Sequence, residues 1–141
     1  MTVVTGLRKV GKTAWIERNC PGQTVVDLKA LYPGPFVTTD MFDGIYRKAQ
    51  ELLQKGGVLE VTGYAENAHE HLARVIAEFP GEVDVVHIVP QDMEDLLNEL
   101  RKHAHESRDG RWALRYAESV KEGKPGLRAP AEVFAGRVVA V

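Results

Sequence analysis

Apolar residues along the chain follow two alternating patterns. Short runs rich in valine predict the β-strands of a buried sheet, at Thr2–Thr5, Gln23–Leu28, Val58–Thr62, Val83–Val89 and Val133–Val141. Longer segments with apolar residues at helical spacing predict helices over 13–19, 66–79, 91–104 and 110–121. One more helix is predicted to start at an N-cap among 38–40 and to end at 55, after a brief extended piece at 36–38. Strands that alternate with helices predict an α/β fold with a mainly parallel sheet of four to five strands.

The loop after the first predicted strand carries the strongest functional motif. Residues 6 to 13 read Gly-Leu-Arg-Lys-Val-Gly-Lys-Thr and fit the P-loop pattern G-x-x-x-x-G-K-[ST] without a mismatch. In that pattern the glycines let backbone amides turn toward phosphates, the lysine reaches the β- and γ-phosphates, and the final hydroxyl ligates Mg²⁺. The helix that begins here adds the partial positive charge of its N-terminus.

This motif predicts a site for a nucleoside triphosphate, with ATP and Mg²⁺ as the expected ligands and the choice between adenine and guanine left open. Lys12 is the predicted catalytic cation, and Thr13 is a predicted Mg²⁺ ligand. Arg8 and Lys9 either add charge against the triphosphate or a second anionic ligand, or are solvated loop cations. The predicted nucleotide-binding residues are Gly6, Leu7, Arg8, Lys9, Val10, Gly11, Lys12, Thr13 and Ala14.

Composition and charge narrow the classes of protein. The 141 residues suit one domain, and the shares of hydrophobic residues (44%) and charged residues (27%) are typical of soluble globular proteins. The formal net charge of -2 gives no global attraction for nucleic acid, so any polyanion site must be local. The sequence has neither an apolar stretch long enough to span a membrane nor an export signal, and its single cysteine, Cys20, suits a thiol in a reducing compartment. We therefore expect a cytoplasmic protein with no membrane partner.

One segment carries a family resemblance. Val3 to Trp15 reads as an apolar strand, the P-loop, and then a lysine, a hydroxyl residue, a small residue and a tryptophan. This start is similar to that of the polynucleotide-kinase-like P-loop phosphotransferases. The Cys20-Pro21-Gly22 turn and the acidic helix start at 91–95 keep the family's order, so the resemblance spans about residues 2–121. It implies a P-loop NTPase three-layer sandwich, with residues 1–141 forming a single nucleotide-binding domain that uses ATP and Mg²⁺.

The resemblance also implies a catalytic base. In that family an aspartate after the second strand takes the proton from the acceptor hydroxyl, and an arginine closing the same D-x-x-R motif binds the acceptor phosphate. Asp27 is the matching aspartate, but the residue three positions later is Ala30, so the arginine is missing. Asp27 suits an N-cap of the next segment equally well, and Asp40 with Asp43 form a second candidate acidic patch or a helix start.

Two further site features are predicted. The family's lid brings arginines onto the transferring phosphoryl group, and the matching region here is 101–115, in which Arg101 and Arg108 are the predicted catalytic arginines. The same charges suit the polar faces of two amphipathic helices. Glu60, within the third strand, either holds the Mg²⁺ shell through water or faces the surface.

The sequence therefore supports two functions of different classes. The first is an ATP-dependent kinase that acts on a nucleic-acid 5′-hydroxyl, a nucleotide or another small alcohol. The second is a regulatory or switch NTPase, similar to AAA and STAND ATPases, that transfers phosphate only to water. Because the D-x-x-R arginine is missing, a P-loop domain that binds nucleotide without turnover is a third reading.

Overall fold

The structure is a computed structural model that describes residues 1–34 and 38–141, and within these it leaves out the side chain of Asp40. Most of the predicted extended piece at 36–38 and the predicted acidic role of Asp40 therefore lie outside the described residues. Within residues 1–34 and 38–141, no helix combines the length and the apolar character that crossing a membrane requires.

Five parallel strands form the sheet. They are β1 (Thr2–Gly6), β2 (Val25–Asp27), β3 (Val58–Thr62), β4 (Asp84–Val89) and β5 (Arg137–Ala140). Their order across the sheet is β2-β3-β1-β4-β5, and every neighbouring pair is parallel. The predicted α/β fold with a mainly parallel sheet is confirmed. Because all strands run the same way, their carboxyl ends meet at one edge, and the P-loop follows the central strand there.

Seven α-helices are described. They are α1 (Lys12–Asn19), α2 (Leu28–Leu31), α3 (Thr39–Lys55), α4 (Glu66–Ala77), α5 (Met93–His103), α6 (Arg108–Glu122) and α7 (Pro130–Val133), and a 3-10 turn at Ala104–Glu106 separates α5 from α6. The sequence does not predict α2 and α7, because four residues are too few to show helical periodicity. The predicted β2 and β5 are longer than the observed strands, and α4 ends at Ala77 rather than at 79.

The helices cover both faces of the sheet, which gives three layers. Side chains of successive strand residues point to opposite faces, so Val4 packs against α1, α5 and α6, whereas Val3 packs against α2, α3 and α4. Each face has its own apolar core, and the side chain of Cys20, a free thiol, is buried in the first of them. A buried free cysteine behaves as a small apolar side chain, so Cys20 contributes to the packing of this core.

Helix α6 lies over the carboxyl edge of the sheet, where β3 ends. A Cβ atom on Gly63, the residue after β3, would collide with the ring of Tyr116, so only glycine allows this close approach. The Tyr116 hydroxyl donates a hydrogen bond to the carbonyl of Arg128 (2.9 Å) and lies 3.2 Å from Nε2 of His69 on α4. These contacts hold α6 against the end of β3 and against α4.

Candidate functional site

The P-loop forms an anion cradle at the start of α1. Gly11 is the N-cap of this helix and has a φ of 113°, a left-handed conformation that favours glycine. Lys9 is also left-handed, with a φ of 67°. The loop therefore bends twice before α1 begins, and backbone N–H groups at such bends and at a helix start form the concave surface that binds phosphates.

Lys12 is a buried cation at the floor of this cradle. Its side chain is 5% exposed, and Nζ donates hydrogen bonds to the carbonyl oxygens of Gly6 (3.2 Å) and Leu7 (2.8 Å). Burial lowers the pKa of Lys12 to about 8, although the nearby carboxylates of Glu60 and Asp27 oppose this shift. Within the described part of the chain Lys12 forms no ion pair, so its charge is available to a bound anion.

A cavity of about 390 Å³, here called the cradle cavity, opens above the loop. Its lining consists of Arg8, Lys9, Gly11, Lys12, Thr13, Ala14, Glu60 and Thr62. Six of the nine predicted nucleotide-binding residues are in this lining. Of the other three, Gly6 and Leu7 hold the ammonium group of Lys12, and Val10 packs in the core with 8% of its surface exposed.

Glu60 lies in the cradle cavity beside the predicted Mg²⁺ ligand Thr13. In the sheet register Glu60 is the direct neighbour of Asp27 on β2. Burial and the negative charge of Asp27 raise the pKa of the Glu60 carboxyl, whereas Lys12 opposes the shift. A half-buried carboxylate crowded by a second one favours a cation nearby, and an exposed hydroxyl at Thr13 completes a donor set that suits Mg²⁺.

The described residues contain no cluster of three or more His, Cys, Asp or Glu side chains that could hold a metal without help. This is compatible with Mg²⁺ bound to triphosphate, because that ion keeps several waters and takes one or two protein ligands plus phosphate oxygens. The residues present therefore fit a nucleotide-bound Mg²⁺ better than an independent metal site.

A second cavity, here called the side cavity, adjoins the cradle cavity and has a volume of about 290 Å³. It lies between the P-loop, the ends of β2 and β3, and helix α6. Its lining consists of Arg8, Asp27, Lys29, Ala30, Thr62, Gly63, Asp109, Trp112, Ala113 and Tyr116. Arg8 and Thr62 line both cavities, so a ligand in one would lie next to a ligand in the other.

Asp27 enters the side cavity at the end of β2. Its Oδ1 atom accepts hydrogen bonds from the backbone N–H groups of Lys29 (3.0 Å) and Ala30 (3.4 Å), which caps α2. Oδ2 accepts no hydrogen bond from the described residues. The capping role seen in the sequence is thus present, and the same exposed carboxylate keeps a free oxygen at the cavity.

Lys29 is the basic residue of the side cavity that the sequence did not single out. Its Nζ lies 4.4 Å from the ring centre of Tyr64 and 5.1 Å from that of Trp112, and it donates a hydrogen bond to the carbonyl of Gly34. Burial lowers the pKa of Lys29, and the negative charge of Asp109 opposes the shift. The signal was a lysine two residues after Asp27, one position before Ala30, where a D-x-x-R motif would have its arginine.

Asp109 and Trp112 line the side cavity because both are on α6, which forms one wall of it. In the sequence, Asp109 belongs to a polar connection and Trp112 to the buried stripe of a helix, and neither reading indicates a ligand. In the structure, α6 begins at Arg108 with Ser107 as its N-cap, and its first turns face Asp27 and Lys29 across the side cavity. A charged residue and a flat apolar ring therefore face Asp27 across this cavity.

The two predicted lid arginines are exposed on the surface of α5 and α6. The Arg101 guanidinium donates to Oδ1 of Asn98 (2.9 Å) and lies 3.7 Å from the carboxylate of Glu94. Arg108 is exposed at the first position of α6. Neither residue is in the lining of the cradle cavity or of the side cavity.

A buried histidine supports the wall of the side cavity and predicts a pH dependence of stability. His69 is fully buried, its Nε2 accepts a hydrogen bond from the backbone N–H of Tyr64 (3.1 Å), and burial lowers its pKa to about 4. In the unfolded chain this imidazole is protonated below about pH 6.5, whereas in the folded chain it stays neutral until about pH 4. The free energy of unfolding should therefore fall as the pH drops from 6.5 toward 4, by up to about 3 kcal/mol. Urea unfolding across this range measures the loss.

His69→Gln keeps an acceptor for the Tyr64 N–H and removes the titrating ring, so this variant should show a clearly smaller loss over the same pH range. The exposed His105 provides the matched control, and His105→Gln should leave the slope unchanged. A slope that His69→Gln does not reduce would contradict the assignment. Part of the slope should survive the substitution, because burial also lowers the pKa of His87 and that of His71.

Comparison with known proteins finds similar structures. The sequence matches no protein-family model and no curated protein. The structure is similar to a gluconokinase from Sinorhizobium meliloti 1021, with a TM-score of 0.56 and 18% identity over 99% of this chain and 81% of that one. It is also similar to an uncharacterized protein from Eubacterium ventriosum ATCC 27560, with a TM-score of 0.52 and 10% identity over 99% and 87% of the two chains. The chain therefore shares with the gluconokinase an α/β fold with a parallel sheet between helices, and at these identities the likeness extends to the fold alone.

Proposed function

We propose that the protein is an ATP- and Mg²⁺-dependent phosphotransferase that phosphorylates a hydroxyl group of a small acceptor bound in the side cavity. The observation that carries the proposal is the shared wall of the two cavities. Arg8 and Thr62 line both, with the anion cradle on one side and the Asp27 carboxylate on the other. A kinase needs this adjacency of donor and acceptor, whereas a hydrolase needs no second cavity.

On the donor side, the P-loop amides and the Lys12 ammonium would hold the phosphates of ATP. Lys12 is buried, and it forms no ion pair with any residue that the structure describes. Thr13 would hold Mg²⁺ directly, and Glu60 would orient the ion's water shell from the same cavity. The ion supplies charge neutralisation between the phosphate oxygens.

On the acceptor side, Asp27 would act as the general base. The acceptor oxygen forms a bond to the γ-phosphorus while the bond from that phosphorus to the bridging oxygen of ADP breaks. The hydroxyl proton moves to the free Oδ2 of Asp27, and Oδ1 stays bonded to the N–H groups that cap α2. These cap hydrogen bonds fix the direction of the carboxylate, which is the requirement for a positioned base.

The lining of the side cavity favours a small, polyhydroxylated acceptor among the classes that the sequence left open. Arg8 and Lys29 supply hydrogen-bond donors, Asp27 and Asp109 supply acceptors, and the indole of Trp112 offers a flat apolar wall. A volume of about 290 Å³ suits a small molecule better than a nucleic-acid strand. The likeness of the fold to that of a gluconokinase also supports the proposal that the acceptor is a small molecule.

The test is a transfer assay with γ-labelled ATP and Mg²⁺. Sugars, sugar acids, nucleosides, nucleotides and 5′-hydroxyl oligonucleotides serve as separate acceptor pools, with a reaction lacking acceptor as the blank. We expect label in a small polyhydroxylated product. Label on an oligonucleotide would contradict the acceptor class, and release of inorganic phosphate alone, at the same rate with every pool, would support a switch NTPase instead.

A further inference from the structure

Arg8 occupies a special place between the two cavities. It belongs to the P-loop, yet it lines the side cavity together with Asp27 and Lys29 as well as the cradle cavity with Lys12 and Thr13. Its side chain is exposed to solvent where the two cavities adjoin. Among the P-loop residues at positions 6–13, it is the one that reaches the side cavity.

Electrostatics agree with this location. Burial is the largest cause of the lowered pKa of Lys12 and of Lys29, and the positive charge of Arg8 lowers both further, so it acts on the main cation of each cavity. The carboxylates of Glu60, Asp27 and Asp109 oppose these shifts. The junction therefore holds three cations beside carboxylates, and a phosphoryl group passing between the cavities would bring further negative charge next to the cations.

The other predicted arginines have different surroundings. Arg101 is hydrogen-bonded to Asn98 and lies close to Glu94 on the outer surface of α5. Arg108 stands at the start of α6, outside the lining of both cavities. Of these three arginines, Arg8 is therefore the one that lines the cavities between which the transfer step would take place.

We infer that Arg8 is the catalytic arginine, and that its guanidinium stabilises the phosphoryl group in flight between the donor and Asp27. This inference rests on the proposed function. Arg8 forms no covalent bond in the step, and the bond changes and the proton transfer to Asp27 are those given above. Negative charge on the three equatorial oxygens is spread in a plane, and a planar guanidinium can donate two parallel hydrogen bonds to it, which an ammonium cannot.

The decisive experiment compares affinity for Mg–ADP with affinity for Mg–ADP plus aluminium fluoride, a mimic of the transferring phosphoryl group, by calorimetry. The wild-type protein should bind more tightly when aluminium fluoride is present. Arg8→Gln should lose about 100-fold or more of the affinity for the aluminium fluoride complex and no more than about tenfold of its affinity for Mg–ADP, because Arg8 also lines the cradle cavity. Arg8→Lys should recover only a small part of the loss, because the charge returns without the planar fork.

Three further variants show whether the loss of affinity is specific to Arg8. Arg111→Gln, at an exposed arginine of α6 outside both cavities, is the matched control and should bind both ligands like the wild type. Arg101→Gln and Arg108→Gln test the rival lid arginines. If either rival loses the aluminium fluoride complex while Arg8→Gln keeps it, or if Arg8→Gln weakens Mg–ADP equally, the inference is wrong. A wild-type protein that binds neither ATP nor ADP would instead contradict the proposed function itself, and the inference with it.

Discussion

Lys12→Met should weaken the binding of Mg–ATP by about 100-fold or more and should leave the free protein at least as stable as the wild type. The affinity falls because the ammonium is the buried positive charge at the floor of the cradle, within hydrogen-bond distance of the carbonyls of Gly6 and Leu7. The stability does not fall, because burying a charge costs free energy, as the lowered pKa of Lys12 shows, and methionine fills the same space without that cost. Calorimetric titration and thermal unfolding measure the two quantities on one sample.

The matched control is Lys55→Met, at an exposed lysine in the last turn of α3, far along the chain from the P-loop. Its salt bridge with Glu51 is exposed, so this variant should keep both ATP affinity and stability close to the wild-type values. Unchanged ATP affinity in Lys12→Met would refute the phosphate-binding role of the loop. A large loss of stability would show that Lys12 holds the loop together instead, through its hydrogen bonds to the two carbonyls.

The cradle could be predicted from the sequence because one contiguous segment specifies it. Eight residues set the bend, the buried cation and the hydroxyl, and the flanking strand and helix needed only their apolar patterns to be recognised. The same is true of β3, whose predicted bounds, Val58–Thr62, are those observed. The P-loop and β3 could be predicted because each is specified by neighbouring residues in the sequence.

The side cavity could not be predicted in the same way, because its residues come from separate segments. Lys29, Asp109 and Trp112 meet only because β2 lies beside β3 and because α6 lies over the carboxyl edge of the sheet. The short α2, which turns Lys29 into the cavity, is four residues long and has no periodic signature. Residue pairing across the sheet, such as Asp27 beside Glu60, likewise depends on register, and a single sequence does not fix it.

Asp27→Asn should abolish transfer to the acceptor, with a loss of about 10²- to 10⁴-fold in kcat, and should leave ATP affinity within a few-fold of the wild-type value. Asparagine keeps an oxygen that accepts the N–H groups of Lys29 and Ala30, so the cap of α2 survives while the base is lost. Asp27→Ala removes both functions and should in addition lose about 1 kcal/mol of stability. Comparing the two variants separates the catalytic role of Asp27 from its capping role. Steady-state kinetics measures the loss in kcat, and urea unfolding measures the loss in stability.

Two further aspartates decide whether the effect belongs to Asp27. Asp84 begins β4 at the amino end of the parallel sheet, opposite the edge that carries the P-loop, so Asp84→Asn should transfer phosphate at the wild-type rate. Asp43, on α3, belongs to the second acidic patch that the sequence offered, and Asp43→Asn tests it directly. If Asp27→Asn retains turnover and Asp43→Asn loses it, the base lies on α3. In that case the carboxylate of Asp27 serves only to cap α2, and its place in the side cavity reflects the path of the chain rather than the chemistry of transfer.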